Sequence, residues 1–479
     1  MAQQQKQIGK PSVTRLPLIG AYTNRGDSPL KDQRFVNMFP ETRKVEQLEN
    51  TKIFVNKRPG LTVYRDYGTG EGRACSYFNG KFYVAVGNTV YEDATSPVAK
   101  ITLTGSTGVV GMLVANSASI GNYLFVCDGT SGWIIKTDGT VTQITDLDFP
   151  TPHTPTPIFI DGYVILSKGI DVYNCDLDDP LAWTSSNYLS AEMFPDNVVG
   201  LVRQNNQVCV LGTSSIEFFY DAANTAGSPL SRNDSTTIQM GTCSPYAVIG
   251  NEKYIFFLSQ SDSGGRAAWV IEGFQPKKVS DEYIERILDG EATITTVRGF
   301  GIRTKGHMFY VINLPESGRT LVYDNDEKLW HEWSSYSAGN HAVFKCDAAT
   351  DNATGSAYLL HTSDGTLYKL DTEAYQDNTD PILVELVTNK YDMDTYNRKF
   401  QSSLKIIGDR YSTTNTLTVK WSDDDYQTWS NAKTISLTDD FPAFHRLGSF
   451  RRRAFKFTHE LNQPLRLEAI EVVYTEGIS

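Results

Sequence analysis

Between about residue 81 and residue 370 the chain repeats one small unit seven times: an apolar strand, a turn rich in Gly or Asp, and a second strand. The first copy is Lys81-Phe82-Tyr83-Val84-Ala85-Val86, turning at Gly87-Asn88 into Thr89-Val90-Tyr91. The last is Ala357-Tyr358-Leu359-Leu360, turning at Asp364-Gly365 into Leu367-Tyr368-Lys369-Leu370. The first strands begin near 81, 122, 162, 207, 254, 307 and 357, at steps of 41, 40, 45, 47, 53 and 50. A period of roughly 40–50 residues, with strands and hardly any helix, is the pattern of β-propeller blades. A lone hairpin cannot bury both of its faces, whereas blades stacked around an axis bury each other's. Seven hairpins predict an all-β chain with a β-propeller of about seven blades over residues 73–375. No copy carries a Trp-Asp blade signature, so a large β-sandwich or two sheet domains is the competing arrangement.

The flanks differ from the repeats. Residues 1–60 show little periodicity and many turn formers, and read as an extended arm ending in the turn Arg58-Pro59-Gly60; residues 1–72 as a whole are expected to be an extended N-terminal arm with platform strands. Residues 376–479 carry alternating strands of their own, such as Leu417-Thr418-Val419-Lys420-Trp421 and Ala454-Phe455-Lys456-Phe457-Thr458, and predict a C-terminal β-sandwich-like platform domain. One segment reads as a helix. Ser280 is its expected cap, Asp281 and Glu282 suit the positive end of the dipole, and Gly290 stops it. Tyr283, Ile284, Ile287 and Leu288 form its apolar face, expected to pack on the propeller's side.

Charge narrows the function classes. The net charge of −12 argues against a protein that wraps nucleic acid. It is unevenly spread: +5 over residues 1–72, −15 over 73–375 and −2 over 376–479. A basic leading segment and an acidic body suggest an arm that docks on acidic neighbours. No apolar run approaches the roughly 18 residues that a membrane helix needs. The polar start Met1-Ala2-Gln3-Gln4-Gln5 lacks a signal peptide's apolar region, so a soluble protein made in a cytoplasm is expected. The six cysteines lie at least 34 residues apart, too far for a zinc knuckle or redox pair, and read as small buried hydrophobes. The seven histidines form no His-x-His or His-x-x-x-His pair. Gly-x-Ser-x-Gly, Walker and Rossmann patterns are absent. No catalytic, cofactor or metal residues are expected.

Three motifs remain. Ser422-Asp423-Asp424-Asp425-Tyr426-Gln427-Thr428-Trp429 resembles the Asp-box of sialidase propellers, Ser-x-Asp-x-Gly-x-Thr-Trp, with Tyr426 in place of the turn glycine. The expected role is a self-bonded hairpin turn. Arg25-Gly26-Asp27 matches an integrin-binding peptide, a match short enough to arise by chance. Arg451-Arg452-Arg453 is expected on a strand, with Arg451 and Arg453 on one face and Arg452 on the other. These three arginines are the partner-contact candidates, since a guanidinium fork pairs well with carboxylates across an interface.

Several segments resemble the packaged-DNA stabilization, or tail hub (nozzle), proteins of short-tailed phages. They are Arg34-Phe35-Val36-Asn37-Met38-Phe39-Pro40 with Pro59-Gly60-Leu61, and Asp176-Leu177-Asp178-Asp179-Pro180 with Trp183, Tyr188, Ala191-Glu192, Pro195-Asp196 and Gly200. The latter runs into Gly212-Thr213-Ser214-Ser215-Ile216-Glu217-Phe218-Phe219. The Cys243-Ser244-Pro245-Tyr246 turn, the helix, Arg446-Leu447-Gly448 and the arginine run complete the set. The resemblance implies a structural virion tail protein, assembled in the host cytoplasm, and no enzyme. It implies a homohexameric ring below the portal and its adaptor (head-completion) ring. That ring would continue the DNA channel, retain packaged DNA, carry tailspikes or tail fibres, and be closed by a needle or plug. Genomic DNA would pass without specific binding, and no membrane would be entered. The alternative is a carbohydrate-binding or glycan-hydrolysing propeller of a phage tail, which an axial pocket with two close carboxylates and an arginine cluster would favour.

Overall fold

The computed structural model describes residues 10–19, 34–44, 51–194, 196–261 and 263–477. The chain is all-β, with one α-helix among the described residues. It divides into two compact units: residues 62–321 with 344–370, and residues 1–61 with 322–343 and 371–479.

The first unit is a β-propeller with six blades. Each complete blade is a four-stranded antiparallel meander in sequence order. Blade one is Gly72–Phe78, Lys81–Val86, Thr89–Glu92 and Val98–Thr102. Blades two to five span 111–143, 154–190, 198–232 and 249–278. Blade six opens with Arg298–Thr304 against His307–Leu314, in register from Arg298↔Asn313 to Thr304↔His307. A further meander, Cys346–Asp351, Ala357–His361 and Thr366–Asp371, follows.

The hairpins expected from sequence are the second and third strands of these sheets, as in Val84↔Tyr91, Phe125↔Ile134 and Cys209↔Phe218. They were legible because they lie mid-sheet and are covered on both faces, as the unbroken burial of Phe82 to Val86 and Val208 to Gly212 shows. The first and fourth strands were not expected. Most fourth strands are short and polar, like Val141-Thr142-Gln143 and Gln275-Pro276-Lys277-Lys278, Asp179–Ser190 being the long exception. First strands carry glycine where a neighbouring sheet comes close: a Cβ on Gly111 would lie 2.4 Å from Pro157 Cδ, and one on Gly72 would lie 2.1 Å from the His361 carbonyl oxygen. The apolar core is a series of separate clusters, each between consecutive sheets. One joins Val90 and Ile101 to Leu124 and Ile135; another joins Cys209 and Phe218 to Ile255 and Phe257. All six cysteines are free thiols.

The helix is Glu282–Asp289 and packs on the blade-five strand Arg266–Glu272. Its cap is Asp281 rather than Ser280: the Asp281 carboxylate accepts from Ile284 N at 3.0 Å. Ser280 is engaged elsewhere, its hydroxyl accepting from Ala268 N and donating to Glu285 Oε1. Gly290 stands at the C-cap as expected, with φ −74°, so it is not there for left-handed freedom. No helix among the described residues is long and apolar enough to cross a membrane.

The second unit is built from segments far apart in the chain. In one sheet the closing strand Arg466–Glu476 pairs with Lys399–Gly408 and, on its other side, with Ser12–Pro17 and the end of Thr51–Lys57. Met38–Lys44 continues that sheet beyond Thr51–Lys57. In the other sheet Arg34–Val36 lies parallel to Leu329–Trp333 and antiparallel to Val384–Val387, followed by Ala454–His459, Thr416–Ser422 and Lys433–Ser436. Both sheets contribute to one core, with Leu16, Met38, Val55 and Val472 from the first and Phe35, Leu386, Val419 and Phe457 from the second. The described parts of the N-terminal arm are thus sheet strands. Arg25-Gly26-Asp27 and Pro195 lie outside the described residues.

Candidate functional site

The arginine run is not on a strand. It is the bend between Ser449–Phe450 and Ala454–His459, touching a ladder only through the bridge Tyr391↔Arg453. The reason is that Arg453 turns inward. It is 1% exposed and makes a two-pronged pair with Asp423, Nε–Oδ1 and Nη2–Oδ2 both at 2.7 Å. Its Nη1 donates to Gln401 Oε1 and the Leu447 carbonyl, both at 2.8 Å, and its plane lies over the Phe450 ring at 4.5 Å. Arg452 donates to Asp425 Oδ2 at 3.1 Å, sharing that carboxylate with Lys390. Arg451 donates to the Tyr396 carbonyl at 2.7 Å and rests over the Tyr396 ring.

The Asp-box-like segment supplies these partners. Asp424 accepts from Ser422 Oγ at 2.8 Å, Thr428 N at 2.9 Å and the Thr428 hydroxyl. The Thr428 bonds, above all its hydroxyl, hold the Asp424 carboxyl down to about 2. The turn is self-bonded, as expected. Asp425 and Tyr426 are both left-handed, at φ 60° and 67°. Tyr426 keeps a position suited to glycine because its ring is buried beside Val387, Ala454 and Trp429 and its hydroxyl donates to the Thr388 carbonyl at 2.9 Å. Sequence reading found both motifs and missed that they are partners. The signal was available: three consecutive like charges at each of two sites, of opposite sign.

A second polar knot, which the sequence did not reveal, explains the segment 34–40. Arg34 makes a two-pronged pair with Glu332, both bonds 2.9 Å. Asn37, at φ 58°, bends the chain between two strands. Its amide donates to Ser334 Oγ and the Leu383 carbonyl, while its Oδ1 accepts from Ser334 N and Arg58 Nε. Arg58 is fully buried and paired with Asp377 at 2.9 and 2.5 Å. Gly60 follows because a Cβ there would lie 2.2 Å from the Gln376 carbonyl oxygen. Asp196, within another of the quoted segments, holds the turn before Ile216 by accepting from Ser214 N, Ser215 N and Ser215 Oγ.

The first strands of the propeller line an open axial cleft of about 660 Å³. The first strands of blades one and six and of the last meander supply Arg73, Cys75, Arg298, Arg303, Asp347 and Asp351 to its wall. Arg73 donates from Nε to the Gly108 carbonyl and from Nη1 to the Gly87 and Gly105 carbonyls. Arg298 pairs with Glu71 and, at 3.2 Å, with Asp347 Oδ2, and also donates to the Gly72 carbonyl. Burial pushes Asp347 up to about 6, with Arg298 pulling the other way. Among the described residues no cluster of three or more His, Cys, Asp or Glu is placed to hold a metal ion.

The fold defines this chain as a β-propeller protein. The model of the family described as bacteriophage P22 Gp10, beta-propeller, matches residues 14–374, and the chain belongs to this phage-stabilisation family. The tail hub protein gp10 of Salmonella phage P22 is 27% identical over 138 residues, 28% of this chain and 29% of that protein. The match thus spans under a third of that relative. Among solved structures, the extracellular domain of BT4673 from B. thetaiotaomicron has a TM-score of 0.45 at 11% identity, over 74% of this chain and 44% of that one. Virginiamycin B lyase from Staphylococcus aureus has 0.39 at 9%, over 66% and 99%. The RRP9 WD40 repeats have 0.41 at 9%, over 66% and 99%. Likenesses this low carry no argument.

Proposed function

We propose that this chain is a structural tail hub, or nozzle, protein of a short-tailed phage virion. The observation that carries the reading is the family match over residues 14–374. In this reading copies form a homohexameric ring below the portal's adaptor, continue the DNA channel, retain the packaged genome, and carry tailspikes or fibres and a needle or plug. The −15 charge of residues 73–375 suits a wall that passing DNA does not stick to.

Three finer features belong to the same proposal. The meander 346–371 acts as a seventh blade: its first strand packs against those of blades six and one, and Gly60–Asp66 follows Thr366–Asp371 in the sheet order as a fourth strand. Residues 1–72 and 376–479 act as the platform facing the adaptor. Of the three candidate arginines, Arg451 and Arg452 are the ones to meet carboxylates on another subunit or the adaptor, because Arg453 is buried and matched within its own chain. The role is non-enzymatic: glycan hydrolysis needs one free acid and a second free carboxylate, and Glu71 and Asp347 are both tied to Arg298.

The test is a phage lacking this chain. Heads are expected to fill and then lose their DNA, and purified chain mixed with adaptor is expected to give six-fold rings in negative stain. Heads that keep their DNA without it would overturn the reading.

A further inference from the structure

The connection between blades two and three is tied down by a histidine whose two ring nitrogens face opposite kinds of partner. His153 is 6% exposed. Its Nδ1 lies 2.8 Å from the Pro150 carbonyl oxygen, and its Nε2 accepts from Gly129 N at 3.2 Å. A carbonyl only accepts, so Nδ1 carries the proton. A backbone N–H only donates, so Nε2 offers its lone pair. Only the neutral ring, protonated on Nδ1, fits both partners. A second proton on Nε2 would set two donors head to head and leave Gly129 N without its acceptor.

The same clasp includes a backbone bond from His153 N to the Gly129 carbonyl at 2.9 Å and a bond from the Thr151 hydroxyl to the Thr130 carbonyl at 3.0 Å. The charged group on the facing turn is Asp128, whose carboxylate accepts from Thr104 N, Thr130 N and Ser131 N. Those on the connection itself are Asp146 and Asp148, and both reach towards blade three. Burial lowers the His153 ring below its ordinary 6.5 and outweighs the Pro150 carbonyl and Asp128, which pull it up.

What the clasp holds is the outer edge of blade three. Asp146 Oδ2 accepts from Trp183 N at 3.0 Å, and Asp148 Oδ2 accepts from Ser185 N at 3.1 Å. Trp183 and Ser185 belong to Asp179–Ser190, the last strand of its sheet. The Phe149 ring stands edge-on to both His153 and Trp183, each at 5.2 Å. Leu147, between the two carboxylates, is 99% exposed, so polar bonds rather than burial hold this tip. An uncovered outer strand presents its backbone groups to other chains.

We propose that His153 is an acid-sensitive latch: neutral, it clasps residues 144–153 to the turn 128–131, and protonated, it releases that connection and bares the outer edge of blade three. The effect is local to the junction of blades two and three. It is independent of the tail hub reading, and its failure would leave that reading intact.

The test uses the full chain with ¹⁵N-labelled histidine, together with hydrogen exchange corrected for intrinsic rate, between pH 7 and pH 5. This range lies above the ordinary aspartate value of about 3.9, so the carboxylates stay charged. Long-range ¹H–¹⁵N spectra at pH 7 should show His153 with its proton on Nδ1. A base with a lowered folded value loses its contribution as pH falls from 6.5. Exchange in peptides covering 144–153 and 181–187 should therefore rise about tenfold towards pH 5, for a ring that takes up its proton near 6.5 once released. Peptides covering 207–220 should not change. His153→Gln, whose amide can accept from Gly129 N and does not titrate, should remove the pH dependence. Should that variant not fold, the wild-type spectra decide by themselves whether His153 titrates in step with the exchange. A proton on Nε2 at pH 7, or a His153 titration with no rise in exchange, overturns the latch. An equal rise in His153→Gln overturns His153 as its trigger.

Discussion

The propeller unit and the unit made from the chain's two ends solve the same burial problem by opposite routes. In the propeller, partners are close in sequence: Gln207 faces Gln204, and Thr304 faces His307. Its core is parcelled into clusters between neighbouring sheets. In the other unit, Ser12 faces Tyr474, Asn37 bonds Ser334, and Arg58 pairs with Asp377. Its core is one cluster drawn from residues 16 to 474. Local closure costs little chain entropy, so the repeats need few long-range polar pairs, Arg298 with Glu71 being one. Distant segments need something to fix their register, and there the chain places buried, fork-paired arginines. Defects should therefore stay local in the propeller and spread in the other unit.

The harshest way to break this contrast is to cut a buried pair. Arg58→Ala leaves Asp377 buried without its partner and is expected to cost about 3–5 kcal/mol, and Arg453→Ala, whose partner Asp423 is 38% exposed, is expected to cost less. Hydrogen exchange should show peptides from 34–61 and 371–387 losing protection together, with blades two to four unchanged. Equal loss in the blades would end the contrast.

The propeller counterpart is Gly72→Ala. The new Cβ would meet the His361 carbonyl, and the overpacking is expected to cost about 1–3 kcal/mol. Faster exchange should be confined to residues 72–86 and 346–371. Spread to blades three and four would show that the repeats are coupled more tightly than their cores suggest.

The two units should also answer pH in different directions. Asp347 lies in the propeller, its folded value raised to about 6. Its contribution is fully present below the ordinary carboxylate range and is lost as pH rises towards 6. His459 and Lys57 lie in the other unit, and burial lowers them to about 3 and about 7. A lowered base favours its neutral form, so their contribution is lost as pH falls, between 6.5 and 3 for His459 and between 10.5 and 7 for Lys57. Exchange measured from pH 4 to 6 should show the surroundings of Asp347 loosening with rising pH while the strand 454–459 tightens. Asp347→Asn should flatten only the former; parallel slopes in both would refute the assignment.

The mildest change sharpens the contrast within the arginine run. Arg452→Ala removes a half-exposed pair and is expected to cost less than about 1 kcal/mol. It should slow adaptor docking and weaken its salt dependence. A thermal shift as large as that of Arg453→Ala would mean that the two residues are not differently employed.

The hairpins, the helix and the self-bonded Asp-box turn could be read from sequence because each is decided within a few dozen residues. Strands covered on both faces read as apolar runs, and the helix shows its apolar stripe at Tyr283, Ile284, Ile287 and Leu288. The helix cap was misplaced by one residue because Ser280 and Asp281 are both competent caps. Only the tertiary position of Glu285 and Ala268, which engage the Ser280 hydroxyl, chooses between them. The arginine run was misread because alternation assumes a continuous ladder, and the Asp423 pair interrupts it.

What the sequence determined by itself is the repeating sheet architecture, through the 40–50 residue spacing of apolar strands, and the family, through short segments spread along the chain. What only the tertiary structure decided is which charges meet. Arg58 and Asp377 lie 319 residues apart, Arg298 and Glu71 lie 227 apart, and Arg453 and Asp423 lie 30 apart. Strand formation depends on the alternation of neighbouring side chains, which a sequence displays. Pairing of buried charges depends on desolvation and on angles set by the whole fold, and any of the chain's carboxylates was an equal candidate until the fold removed the others from reach.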